Sequence, residues 1–121
     1  MRALLLIALG GGIGSALRFA LYDSIRVHSS NDFPWGTLAV NVTGCLAIGL
    51  LFGLWFEQLR ESWRAFLLFG VLGGYTTFSS FGKEAITLLL NHRYIAAAGY
   101  VFATNILCLA AVWLGVVIMR R

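Results

Sequence analysis

Four long apolar stretches divide the chain, and short polar connections separate them. They run over about 3–22, 35–56, 65–91 and 94–119. Each is long enough, at roughly 1.5 Å of rise per helical residue, to cross a hydrocarbon layer about 30 Å thick. The connection 23–34 is polar, 57–64 is charged, and 91–93 is no more than a turn. This pattern predicts an all-α integral membrane fold, one domain over 1–121 with four transmembrane helices. An even number of spans puts both termini on one side. The first stretch outruns the apolar core of a cleavable signal, about 7–15 residues, and leads into further spans, so it is read as retained.

The informative positions are the polar ones inside the spans, because polar groups facing lipid are costly. Gly10, Gly14 and Arg18 recur at four-residue spacing and so share one helical face. Two glycines there describe a close-packing groove. Arg18 reads either as a cation reaching the interface or as a vestibule charge that concentrates anions. Thr37 and Asn41 are again four apart, with Gly44 near the same face; Asn41 reads as interhelical glue or as an amide donor on a polar path. Tyr100, Thr104 and Cys108 give the fourth stretch a donor-bearing face of its own.

The third stretch carries the run Gly73-Gly74-Tyr75-Thr76-Thr77-Phe78-Ser79-Ser80-Phe81. Glycine raises the entropy cost of helix, and the hydroxyls compete for backbone hydrogen bonds, so a break is expected near 73–80. Irregular backbone at that depth is tolerated only where protein buries it or where it lines a cavity. The residues alone fit a kink and an ion site equally well. Phe78, Phe81 and Glu84 follow at three-residue spacing on a drifting face, and Lys83 is expected to reach water in a vestibule.

Composition narrows the function classes. The chain is 60% hydrophobic and 12% charged, against about 25% charged in a soluble domain. Its nine Lys and Arg against five Asp and Glu leave a basic balance, but the arginines stand at segment ends and form no nucleic-acid patch. Arg2, Arg60, Arg64, Arg120 and Arg121 fall on the terminal side, against Arg26 and Arg93 on the other, a mild bias toward cytoplasmic termini. Cys45 and Cys108 lie inside apolar stretches and read as packing residues, with no CxxC or His/Cys spacing. No hydrolytic triad, phosphate loop, HExxH or dinucleotide fingerprint is present in the sequence, so an enzyme is not expected.

Three motifs on three spans resemble those of the Fluc/CrcB fluoride-channel family: 10–18 (GGGIGSALR), 36–44 (GTLAVNVTG) and 73–81 (GGYTTFSSF). The likeness extends over the whole chain. It implies an antiparallel, dual-topology homodimer in the cell inner membrane, with a third helix broken mid-membrane and two fluoride pores. By the resemblance, Asn41 is the pore amide, and Phe78 and Phe81 meet fluoride with ring edges. Ser79, Ser80 and Thr37 match the adjoining hydroxyls, Tyr100 and Thr104 line the path, Glu84 is a pathway carboxylate, and Arg18 is the vestibule cation. The carbonyls of Gly73 and Thr76 would hold a structural Na+ at the dimer interface. The chain departs from the family pattern at Tyr75, Ser80, Lys83 and Cys108, the last standing where a glycine is usual.

The expected function is passive export of cytoplasmic fluoride down its electrochemical gradient, which lowers intracellular fluoride toxicity. The partners are then fluoride, membrane lipid and a second copy of the chain, with no nucleic acid. The alternative is a small proton-coupled multidrug or cation exporter. That chemistry wants a carboxylate within the first span, where this chain offers Arg18.

Overall fold

The protein is described by a computed structural model covering residues 1–54 and 58–120. Trp55 and Phe56 at the end of the second predicted span, Glu57 of the charged connection, and Arg121 of the charge count lie outside the described residues. The described residues are helical, with no strand. The helices are α1 (Arg2–His28), α2 (Trp35–Gly53), α3 (Glu61–Arg64), a π-helical stretch (Ala65–Leu72), α4 (Gly73–Tyr75), α5 (Phe78–Leu90) and α6 (Tyr94–Met119). Four of the resulting rods, Arg2–His28, Trp35–Gly53, Glu61–Leu90 and Tyr94–Met119, are long and apolar enough to cross a membrane.

The observed ends differ from the hydrophobic boundaries where charge can lie along a helix. The first rod continues past Tyr22 through the Asp23 and Arg26 pair, 3.8 Å apart on one exposed face. The third begins at Glu61 rather than near 65, with Glu61 in its first turn, where a carboxylate meets the positive end of the helix. At the other end of that rod, His92 adopts φ 58° and turns the chain into α6.

Glycine makes two of the helix contacts possible. A Cβ on Gly10 would lie 2.5 Å from the Phe66 carbonyl oxygen, and one on Gly14 would collide with the Val71 carbonyl. The groove expected from Gly10 and Gly14 is therefore where the third rod sits against α1. On the other side, a Cβ on Gly49 would collide with the Val112 backbone, and one on Gly115 would lie 2.6 Å from the Leu50 amide nitrogen. Small residues let helices approach closely where lipid supplies no hydrophobic push between them.

The α2–α6 contact has a simple register. Gly49 meets Val112 and Gly53 meets Val116, so the two helices run in the same direction and step together by one turn. Carried upward, the same step sets Cys45 level with Cys108, Asn41 with Thr104, and Thr37 with Tyr100. Four of the most enclosed polar side chains among the described residues thus share one seam. Thr37, Asn41, Thr104 and Tyr100 are each less than one-tenth exposed.

The third rod is broken, and more tightly than the sequence suggests. Gly73–Tyr75 remains a helical turn and helix resumes at Phe78. Only Thr76 (φ −78°, ψ 154°) and Thr77 (φ −149°, ψ 113°) are extended. Thr77 then caps α5, its Oγ1 accepting the Ser80 amide at 3.2 Å, which restarts the helix after two residues.

Candidate functional site

The break is held open by Asn41. Its Nδ2 donates to the Thr77 carbonyl at 3.0 Å, and its Oδ1 accepts the Thr77 amide at 2.9 Å. The side-chain amide thus satisfies both backbone groups of one extended residue in a buried place, where unpaired groups would be costly. Asn41 is neither interhelical glue alone nor a free donor. It is the clasp that fixes the broken backbone, and one N–H remains for another acceptor.

Two further consequences follow at the break. The Thr77 amide would close the helical bond onto the Gly73 carbonyl, but it points to Asn41. The Ser80 amide would close the bond onto the Thr76 carbonyl, but it points to Thr77 Oγ1. The two carbonyls named from the sequence as cation ligands have therefore both lost their ordinary helical donors. The Thr76 hydroxyl is turned back to donate to the Leu72 carbonyl at 3.0 Å.

A second cluster forms around Glu84. Thr37 Oγ1 donates to Oε1 and Tyr100 Oη donates to Oε2, each at 2.8 Å. Three helices are joined through one carboxylate. Among the described residues the ion pairs are Arg26–Asp23 and Arg93–Asp32, so Glu84 is held by hydroxyls and not by a cation. Between the two clusters runs a short hydroxyl chain: Thr77 Oγ1 lies 3.3 Å from Ser79 Oγ and donates to Ser80 Oγ at 3.1 Å.

Aromatic rings flank the same seam. Phe78 and Phe81 have centroids 5.4 Å apart, and Phe81 and Tyr100 have centroids 5.2 Å apart. Both pairs are tilted, an arrangement that turns ring edges, which carry partial positive charge, toward neighbouring groups. Phe81 is buried, whereas Phe78 is 82% exposed. The two expected site rings therefore stand in different surroundings within this chain.

Two cavities meet at the break. One, of about 260 Å³, is lined by Arg18, Thr37, Ser80, Lys83 and Glu84, the polar residues at one end of the track. The other is a mainly apolar groove of about 530 Å³. Its walls include Asn41, Gly73, Thr76, Phe78, Phe81 and Thr104. Thr77 lies on the wall of both. Within the seam, Thr104 Oγ1 is buried and finds no hydrogen-bond partner among the described residues.

The structure thus brings together Thr37, Glu84 and Tyr100 in one cluster, and Asn41, Phe81 and Thr104 around the groove. Arg18 joins the polar cavity. Ser79 is exposed beside the break and Ser80 lies on the cavity wall. Two residues were missed by sequence reasoning. Thr77, set between more conspicuous neighbours, is the hub of the break; its position after Thr76 and three before Ser80 is a helix-start signal that could have revealed it. Phe33, from the connection before α2, packs edge-on to Tyr100 with centroids 5.5 Å apart, and no motif points to it.

Comparison with known proteins agrees with this architecture. The family described as "CrcB-like protein, Camphor Resistance (CrcB)" matches residues 5–116. A relative from Opitutus terrae named "Fluoride-specific ion channel FluC" is 45% identical over 119 residues, covering 95% of this chain and 90% of the relative. One of the same name from Coxiella burnetii (strain Dugway 5J108-111) is 44% identical over 120 residues, covering 97% of each. Another from Phocaeicola vulgatus is 41% identical over 117 residues, covering 96% of this chain and 97% of the relative. With a match over nearly the whole chain, four membrane-capable helices and the polar seam they enclose, the protein belongs to the CrcB-like family.

Proposed function

We propose that this protein is a fluoride-selective channel of the cell inner membrane, passing fluoride passively out of the cytoplasm and so lowering its toxicity. It is a channel, not an enzyme. The observation that carries the reading is the position of Thr77, on the wall of both the polar cavity and the apolar groove. The two cavities thereby adjoin at the break in the middle of a four-span protein. The names of the relatives supply the ion.

Fluoride is small and strongly hydrated, so a path must replace water with donors yet release the ion at each step. Arg18 and Lys83 raise the local anion concentration at the polar cavity. Ser80 and Thr77 offer hydroxyls next, with Thr37 and Tyr100 able to turn from Glu84 toward a passing anion. Deeper in, the spare N–H of Asn41, the unpartnered Thr104 hydroxyl and the Phe81 edge replace water in turn. Glu84 draws the Thr37 and Tyr100 hydroxyls toward it and keeps them oriented between ions. An exporter of cationic drugs fits less well, since the charged α1 residue among those lining this cavity is Arg18, which repels such substrates.

The reading includes a second, antiparallel copy. Phe78 projects into open space at 82% exposure beside the apolar groove. A ring that is to meet an anion by its edge must be walled from lipid, and a second copy of the chain is the wall implied by the family resemblance. Na+ fits between two such copies, held by the Gly73 and Thr76 carbonyls whose helical donors are diverted. Bound there, the cation would neutralise four carbonyl dipoles at the meeting of two broken helices. The test of ion choice is efflux from liposomes loaded with fluoride or with chloride. Fluoride release alone supports the reading, and equal release of both ions sinks it.

A further inference from the structure

Cys45 and Cys108 are unused by the ion path. Both are free thiols, half-buried, on the wall of the 530 Å³ groove. The parallel step of α2 along α6, fixed one turn away by Gly49 against Val112, sets them level with each other. The two thiols are neighbours across the α2–α6 contact.

We propose that Cys45 and Cys108 form a two-thiol chelating site for a soft divalent cation that accepts linear two-coordination, the mercuric ion being the type case. The chemistry is balanced without any oxidant. Each thiol gives up its proton, M²⁺ forms two M–S bonds, and RS–M–SR is left with two H⁺ released to solvent. The neutrality of that product decides between metals. A monovalent ion between two thiolates would leave a net negative charge in a mainly apolar groove, where an uncompensated charge is costly. Zinc wants four ligands, and among the described residues no cluster of three or more His, Cys, Asp or Glu exists to supply them. Thiolate softness makes the remaining choice.

The site has a consequence for transport, and this part rests on the fluoride reading above. Asn41 and Thr104 lie one turn from the two cysteines on the same pair of helices. A metal bridging the thiols clamps α2 to α6 beside those donors and blocks the route.

The first experiment needs no transport. Purified full-length protein in detergent is titrated with Hg²⁺, and bound metal, free thiols and released protons are measured. The expected result is one Hg²⁺ per chain, with both thiols lost together and two protons released. Either single variant, Cys45→Ala or Cys108→Ala, and likewise Cys45→Ser or Cys108→Ser, should hold the metal at least about a hundredfold more weakly against a monothiol competitor, the usual gain from tethering a second ligand. Two independent equivalents per chain, or retention in a single variant equal to that of the unmodified protein, would overturn the site. So would formation of a Cys45–Cys108 disulfide in place of a bound metal. The second experiment measures fluoride efflux with Hg²⁺ present. Block of the unmodified protein, relief by a dithiol, and no block in either variant are expected. Metal bound as described with no effect on efflux would overturn the blocking step, whereas absent efflux without metal would fault the channel reading and leave the stoichiometry standing.

Discussion

Asn41 combines an observed structural role with the conduction role proposed for it. Its amide answers the carbonyl and the N–H of Thr77 together, so Asn41→Ala leaves two buried backbone groups without partners. Each such loss costs about 1–3 kcal/mol. A clear fall in the thermal midpoint of the purified protein is expected, along with loss of fluoride efflux. Unchanged melting would mean that the Thr77 backbone finds water or another partner. Tyr100→Phe separates stacking from hydrogen bonding, because it keeps the ring against Phe81 and removes only the donor to Glu84. It should lose no more than about 1.5–3 kcal/mol of stability, the net worth of one hydrogen bond to a charged group, while efflux drops several-fold. The distribution of the aromatic residues makes a third point at this scale. Phe81 is packed inside the chain and Phe78 is not, so Phe81→Ile should cost stability as well as flux, and Phe78→Ile flux with little change in the fold of one chain. Normal conduction in both variants would remove the ring-edge role.

Among the elements, the crossings of α1 with the third rod and of α2 with α6 are set by glycines, and they can be tested against glycines that touch nothing. Gly14→Leu and Gly49→Leu each drive a side chain into backbone, at Val71 and at Val112. Backbone cannot step aside as a flexible side chain can, so both should prevent recovery of folded protein in a size-exclusion assay. Gly12 and Gly99 have nothing within 4 Å of a Cβ. Alanine there should be neutral or stabilising by up to about 1 kcal/mol, the helix-propensity difference. If all four variants behave alike, the close approach is not what glycine provides.

This is also the scale at which the limits of the sequence are clearest. The four apolar rods and the break among Gly73, Thr76 and Ser80 were legible, because span length, glycine and clustered hydroxyls are local signals. The narrowing of the break to Thr76 and Thr77 was not, since it depends on Asn41 reaching from another helix. The π-helical winding of Ala65–Leu72 left no pattern in a uniformly apolar stretch. The pairing of Thr37 with Tyr100, or Cys45 with Cys108, requires knowing that α2 and α6 are parallel neighbours. Four-residue spacing found each face separately and could not say which faces meet. The carboxylate of Glu84 was visible as a residue, but its clasp by two hydroxyls from two other helices was not.

At the scale of the whole molecule, α2, α5 and α6 assemble a polar seam, which the proposed second copy would close against lipid. If the proposed structural Na+ sits between two copies, the assembly weakens when sodium is withdrawn. Replacing Na+ by a large organic cation throughout purification should lower the thermal midpoint of the unmodified protein, and returning Na+ should restore it. Insensitivity to sodium would leave the diverted Gly73 and Thr76 carbonyls to water. The central claim, that the seam carries fluoride and discriminates it from chloride, is tested most directly by ion-selective electrode recording from liposomes holding the purified protein. The account predicts rapid fluoride release once a counter-ion path is supplied, with chloride retained at the level of protein-free liposomes. Chloride release at the rate of fluoride, or fluoride release no faster than from empty liposomes, would contradict it.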